Sequence, residues 1–219
     1  MKKHILVACE ESQRLTTALR KIGINAYSCD LLETSGEHPE WHIVGDVLPL
    51  LNGYCKFTTQ DGTKRKISKR WDAIIAFPPC TYTTNAGAKH LYRNHIFNVE
   101  RYYKGMCGKA LILSILHAEC DYIAVENPVP SKVFDFPEYT QVIQPYYFGD
   151  EFSKKTLLWI KGFPLLQTTN LVEPKENCHD SNTWFSKGGK DRQINRSKLS
   201  YGIANAMATQ WGNYILSLE

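Results

Sequence analysis

Pro78-Pro79-Cys80 puts a thiol just behind the apolar run Ala73-Ile74-Ile75-Ala76. A short β-branched run ending in Pro-Pro reads as a buried strand stopped abruptly, because proline has no N–H with which to extend the ladder. Cys80 then stands on a stiff turn at the carboxyl end of that strand, the edge at which open α/β sheets take their ligands. A second run, Tyr122-Ile123-Ala124-Val125, ends in Glu126-Asn127-Pro128. A thiol and a carboxylate at two neighbouring strand ends can supply a nucleophile and a proton donor to one substrate. An inert buried thiol and a capping or salt-bridging carboxylate are the bland alternatives for the same two residues.

The elements needed to position the pair are legible in the first half of the chain. Ile5-Leu6-Val7-Ala8 reads as a buried strand. The helix expected from Glu11 to Ile22 carries Leu15, Ala18, Leu19 and Ile22 on one face and stops at Gly23. Ile24 to Ser28 is a second strand ending at Asp30, and His42-Ile43-Val44 a third, followed by Gly45-Asp46. Strand–helix repetition with short links predicts right-handed crossovers and a largely parallel sheet. Residues 51–70 break the pattern as a β-hairpin turning at Asp61-Gly62, with Lys56, Lys64, Arg65, Lys66, Lys69 and Arg70 as the densest basic cluster. That cluster reads either as a solvated protrusion or as a set of phosphate contacts. Beyond Cys80 come a polar loop with Lys89 and Arg93, a helix over Lys109 to His117, strands at Gln141 to Gln144 and Leu157 to Ile160, and a helical tail from Ser200 to Leu216.

With 219 residues, the chain suits one α/β domain over 1–219, in which residues 162–196 form a loop-rich segment. No apolar stretch approaches the ~20 residues of a membrane span, and Met1-Lys2-Lys3-His4 runs directly into a strand, unlike a signal peptide. Seven cysteines without a C-x-x-C pair argue against a disulfide framework or zinc ribbon and for a reducing cytosol. Cys178-His179 has no second ligand pair nearby, so no metal is expected.

In motif order the chain resembles the cytosine-5 DNA methyltransferases over most of its length. Pro78-Pro79-Cys80 matches the family's nucleophile motif, Glu126-Asn127-Pro128 its Glu-Asn-Val motif, and Gly202-Ile203-Ala204-Asn205-Ala206-Met207 its late cofactor-pocket segment. The resemblance implies a Rossmann-like S-adenosylmethionine-dependent methyltransferase fold with helices on both faces of the sheet. It implies attack of Cys80 on cytosine C6 with Glu126 assisting at N3. Lys154 and Thr156 fall where the family has two arginines beside the base. Cys9, Glu10, Ser12, Asp30, Asp46, Pro78 and Asn205 would line the S-adenosylmethionine site, and Lys64, Lys66, Lys69, Arg70, Lys89 and Arg93 would contact nucleic acid.

The family's opening Phe-x-Gly-x-Gly is replaced here by Ala8-Cys9-Glu10-Glu11-Ser12-Gln13, which has no glycine, and Ser12 is expected to cap the first helix. The segment 162–196 is too short for a separate target-recognition domain. Compact phage and prophage members resemble this layout, which implies DNA as partner and a cytoplasmic setting in a bacterial or phage-infected cell. Two alternatives stand beside that expectation. One is the same fold acting on RNA, on a modified or single-stranded base, or with another one-carbon donor. The other is a non-catalytic nucleic-acid or S-adenosylmethionine binder that interferes with host modification.

Overall fold

The computed structural model describes residues 2–93, 95–177 and 198–218. Strand and helix alternate through β1 (His4–Ala8), α1 (Arg14–Lys21), β2 (Asn25–Asp30) and β3 (His42–Val44). The basic segment forms the expected antiparallel hairpin, β4 (Lys56–Thr58) with β5 (Lys64–Lys66), ahead of β6 (Ala73–Ala76). The loop after β6 carries α2 (Asn85–Ala88) and a small hairpin, β7 (Tyr92–Arg93) with β8 (Ile96–Phe97), and leads into α3 (Val99–Leu116). There follow β9 (Ile123–Pro128), β10 (Gln141–Ile143), β11 (Phe152–Ser153), β12 (Thr156–Lys161) and β13 (Glu176–Asn177). The tail is α4 (Tyr201–Met207), a π turn over Ala208–Gly212 and α5 (Asn213–Ser217). Cys178, His179 and most of the loop-rich segment expected at 162–196 lie outside the described residues.

Seven strands form one sheet in the order β10-β12-β9-β6-β1-β2-β3. Only β12 runs antiparallel to its neighbours, β9 and β10; the remaining pairs are parallel. The chain builds outward from β1 through β2 to β3, then restarts on the other side of β1 with β6 and β9. This is a Rossmann-like, doubly wound sheet, and its order reverses between β1 and β6, the switch point at whose carboxyl-end crevice such sheets take their ligands. Because β6 and β9 pair in parallel with Ala76 beside Val125, the turn carrying Cys80 and the last residues of β9, Glu126 to Pro128, lie at the same edge of the sheet.

Period-two alternation sends neighbouring side chains of each strand into opposite layers. Ile5 and Val7 of β1 join Leu15 and Leu19 of α1 and Ile203, Met207 and Trp211 of the tail. Leu6 and Ala8 join Ile112 and Ile115 of α3, together with Trp71. The tail is further anchored by Trp211, whose Nε1 donates to the Pro164 carbonyl at 2.8 Å while its ring stacks on Phe163. Among the described residues no helix is long and apolar enough to cross a membrane. Nor does any group of three His, Cys, Asp or Glu among them come together as a metal site.

Candidate active site

The turn after β6 and the end of β9 are joined by backbone and side-chain hydrogen bonds. Asn127 Nδ2 donates to the Pro78 carbonyl at 3.0 Å, so the residue after Glu126 grips the proline two before Cys80. Further along, Ser131 N–H donates to the Thr83 carbonyl at 2.7 Å and Asn85 N–H to the Val129 carbonyl at 2.9 Å. The Cys80 carbonyl accepts from the N–H groups of Thr83 and Thr84, both at 3.1 Å, which closes the turn. Pro78 is buried and Cys80 half-buried, on a turn whose backbone these hydrogen bonds fix.

Glu126 is 9% exposed and pairs in register with Leu158 of β12. Burial raises its carboxyl above the ordinary carboxylate range, because the ionised form loses water; the Lys154 ammonium nearby partly opposes this. Lys154 thus stands near Glu126 in the folded chain. Thr156 stands opposite Pro128 in the ladder, and its hydroxyl donates to the Lys154 carbonyl at 2.9 Å. Glu126, Lys154 and Thr156 line one narrow cleft with Lys198, Ser200 and Ile203.

The β1–α1 turn is built differently from the expectation. Glu10 is 3% exposed and points into the N-terminus of α1, accepting from Leu15 N–H at 2.6 Å, Thr16 N–H at 3.2 Å and the Thr16 hydroxyl at 2.7 Å. It supplies the capping acceptor that was expected of Ser12, and α1 begins at Arg14 rather than Glu11. Burial pushes its carboxyl up to about 7, against those hydrogen bonds. Its oxygens are thus committed to the helix rather than turned to a cofactor.

Cys9 takes a left-handed φ of 58°, the conformation glycine would adopt without a Cβ penalty. Its N–H donates to the Cys29 carbonyl at 2.7 Å. Burial, with Asp30, Cys29 and Asp46 nearby, drives the Cys9 thiol well above its ordinary value. Residues 34–38 are strapped over this turn: Thr34 Oγ1 donates to the Glu11 carbonyl at 2.7 Å and Gln13 Nε2 to the His38 carbonyl at 2.8 Å. Lys198 Nζ joins the strap at Ser35 Oγ, 3.2 Å away, and lies 3.7 Å from Glu11 Oε1. Nothing in the local sequence around Lys198 signals that long-range role.

Asp30 and Asp46 end β2 and β3 as expected and lie beside each other's strand ends, with Gly45 N–H donating to the Asp30 carbonyl at 2.8 Å. Asp30 Oδ1 accepts from Leu32 N–H at 3.0 Å and Asp46 Oδ1 from Leu48 N–H at 3.0 Å, and burial raises the Asp30 carboxyl above its ordinary value, partly opposed by the hydrogen bond from Leu32. Leu31 and Leu32, next to Asp30, are 74% and 60% exposed. Asn205 is exposed on α4, the helix that packs on α1.

The basic residues divide into two groups. Lys69 pairs with Asp72 at 2.7 Å and Arg70 with Glu119 at 2.7 Å. Asp72 in turn bonds His4, the first residue of β1, so both pairs belong to the amino edge of the sheet. Cys80 lies past the opposite edge, about 16 Å or more along the strand direction. Lys69 and Arg70 are thus held in ion pairs at the edge of the sheet opposite Cys80. Lys64 and Lys66 are exposed on one face of β5, and Lys56 stands directly opposite Lys66 on β4. Phe57, on the other face, is buried against Tyr27. Lys89 is exposed on the loop after Cys80, and Arg93 falls in β7.

No protein-family model and no curated protein matches the chain. Solved structures with a similar fold include an E. coli prophage protein described as a DNA modification methyltransferase, at 11% identity over 78% of this chain and 52% of that one, with a TM-score of 0.43. Another is the Entamoeba histolytica methyltransferase EhMeth, at 14% identity over 89% of this chain and 65% of that one, TM-score 0.40. A Spodoptera frugiperda DNMT2 variant aligns at 13% identity over 80% and 56%, TM-score 0.36. The chain thus spans between 52% and 65% of the length of these three.

Proposed function

We propose that the chain is an S-adenosylmethionine-dependent methyltransferase acting at C5 of cytosine in DNA, with Cys80 as nucleophile and Glu126 as proton donor. The observation that carries this reading is the clasp between the turn after β6 and the segment ending β9, Asn127 to Pro78 and Ser131 to Thr83, with a thiol on one and a buried carboxylate on the other at the carboxyl edge of the sheet. Cytosine C5 is a poor nucleophile until C6 has been attacked. Cys80 loses its proton and Sγ bonds to C6 while protonated Glu126 hydrogen-bonds and protonates N3, drawing charge off the ring. Burial of Glu126 serves that role by keeping its proton to higher pH. When bound, S-adenosylmethionine supplies the methyl electrophile for C5. Loss of the C5 proton to solvent, expulsion of Sγ as the thiolate and return of the N3 proton to Glu126 then restore the aromatic ring, and the thiolate regains a proton from solvent.

The residues at the ends of β1 to β3 fit that cofactor. Asp30 offers a carboxylate oxygen for ribose hydroxyls, exposed Leu31 and Leu32 offer apolar cover for a purine, and left-handed Cys9 gives the turn the backbone shape that glycine gives elsewhere. The direct test is transfer of a labelled methyl group to DNA and RNA, with a thermal-shift titration of S-adenosylmethionine alongside. Labelling of RNA and not DNA would move the substrate. Cofactor binding without any transfer would favour a non-catalytic binder.

Asp30→Ala should weaken S-adenosylmethionine binding by about 1–3 kcal/mol, the cost of leaving buried donors unpaired. Calorimetry reads this directly, and unchanged affinity would remove Asp30 from the site. For the hairpin, like charges set opposite each other in an antiparallel pair are destabilising, and Lys56 and Lys66 have no ion-pair partner among the described residues. A polyanion over this face would relieve that repulsion. Each phosphate contact adds about 0.9 to the slope of log affinity against log salt. Lys64→Ala with Lys66→Ala should flatten the slope by roughly two units without changing sequence preference. An unchanged slope would leave the hairpin a solvated protrusion.

A further inference from the structure

The loop after Cys80 and the start of α3 enclose a recess of about 530 Å³, within the ~300–1,000 Å³ span of small-ligand pockets. Its wall combines cations and aromatic rings. Arg101 and Lys104 lie over the Tyr82 ring at 5.2 and 5.6 Å from its centroid, and His90 adds an imidazole. Glu100 also lines the recess and pairs with Lys104 at 2.6 Å, which leaves the Arg101 charge as the surplus. Arg101 Nη2 donates to the Thr81 carbonyl at 3.0 Å, so this guanidinium touches the residue next to Cys80. Gly87 makes room for it, since a Cβ there would come within 2.8 Å of Arg101 Nη2.

Tyr92 also lines the recess and is 61% exposed. Its ring is the outer end of an aromatic ladder running inward through Phe97 at 5.5 Å, Tyr102 at 5.5 Å and Phe134 at 5.7 Å. Phe134 is 1% exposed, so the ladder roots the small hairpin in the core. An exposed ring held in this way is a stacking platform that costs little entropy on binding. Aromatic platforms beside cations are how single strands are held, with bases on rings and phosphates on the charges.

We propose that this recess holds the unpaired nucleotide adjacent to the target cytosine, its base on Tyr92 and its phosphate at Arg101. The inference rests on the reading of Cys80 as the nucleophile. It adds that the enzyme binds two consecutive nucleotides out of the stack and therefore selects single-stranded or locally opened DNA. The link from Arg101 through Thr81 to Cys80 places the two subsites within one turn of chain.

The test uses the full chain and a short, fluorescently labelled single-stranded oligodeoxynucleotide containing one cytosine. An abasic residue next to the cytosine, on one side, should weaken binding by roughly ten- to a hundredfold. Tyr92→Ala should cause a loss of the same size, Tyr92→Phe should retain affinity, and the abasic site should cost Tyr92→Ala nothing further. Unchanged affinity with abasic residues on both sides, an unchanged Tyr92→Ala, or additive losses would each overturn the recess as a nucleotide site. Covalent capture of 5-fluorocytosine in the same oligonucleotide keeps the two readings apart. Capture without any abasic or Tyr92 effect overturns the recess and spares the nucleophile. The binding effects without capture overturn the nucleophile and spare the recess.

Discussion

Cys80→Ser is expected to abolish covalent capture of DNA containing 5-fluorocytosine, together with methyl transfer, while the protein remains folded. Fluorine at C5 cannot leave as the proton does, so after methyl transfer the Sγ–C6 bond persists and the adduct survives denaturation. Serine keeps the size of the side chain but replaces a thiol with a far weaker acid and nucleophile. The structure narrows the choice of thiol. Burial raises the pKa of Cys9, Cys29, Cys55 and Cys120, with Cys29 pushed up to about 12 and Cys120 to about 11. Of the two remaining described cysteines, Cys107 is exposed on α3 and Cys80 stands past β6 at the crevice. Cys107→Ser should therefore capture the analogue like the parent protein. Capture that persists in Cys80→Ser, read by mass of the denatured adduct, would remove Cys80 from the chemistry.

Strand ends were the part of this molecule most legible in the sequence, because the features that stop a strand are local. Pro78-Pro79 ends β6, and β3 falls at His42–Val44 as its apolar pattern indicates. The early turns of α3 were not legible, and packing explains why. The helix was expected from Lys109 and begins at Val99, with Gly105 and Gly108 in its interior, where each glycine costs about 1 kcal/mol relative to alanine. Gly105 is required by its neighbours: a Cβ there would overlap the Phe134 ring and lie 3.1 Å from the Tyr82 carbonyl. The weak helix signal is thus the trace of a close approach between α3 and the segment after Cys80, visible only once the fold is known.

Charge was legible in amount and not in place. Six basic residues between Lys56 and Arg70 read as one cluster, yet Lys69 and Arg70 belong to the amino edge, where Asp72 and Glu119 neutralise them. Those partners are separated from them by 3 and by 49 positions, and only the nearer could have been suspected. Glu10 has a similar lesson. It caps α1 from five and six residues away through Leu15 and Thr16, outside the usual Ser-x-x-Glu spacing, because left-handed Cys9 and Gln13 fold the turn back on itself. The same two residues give the turn its glycine-like backbone without a glycine.

Glu126→Gln should separate function from stability by moving them in opposite directions. Glutamine keeps the shape of the side chain and its place beside Leu158, but it cannot deliver a proton to N3. General acid assistance is worth ~100- to 10,000-fold, so turnover should fall on that scale while S-adenosylmethionine affinity stays near that of the parent. Stability should change the other way. Burial raises the folded pKa of Glu126 above its unfolded value, with Lys154 only partly opposing it. The folded state therefore favours the protonated form, and the favourable contribution present below the unfolded pKa is lost as pH rises through the folded pKa. Above that value the parent carries an ionised carboxylate in a buried site, a cost that the neutral amide avoids. Glu126→Gln should melt at a higher temperature than the parent at alkaline pH, with the difference shrinking as pH falls toward 4. Melting curves across pH, set beside single-turnover rates, read both effects on one preparation. Equal loss of activity and stability would mean that Glu126 is a structural residue, and full activity would mean that N3 takes its proton from elsewhere.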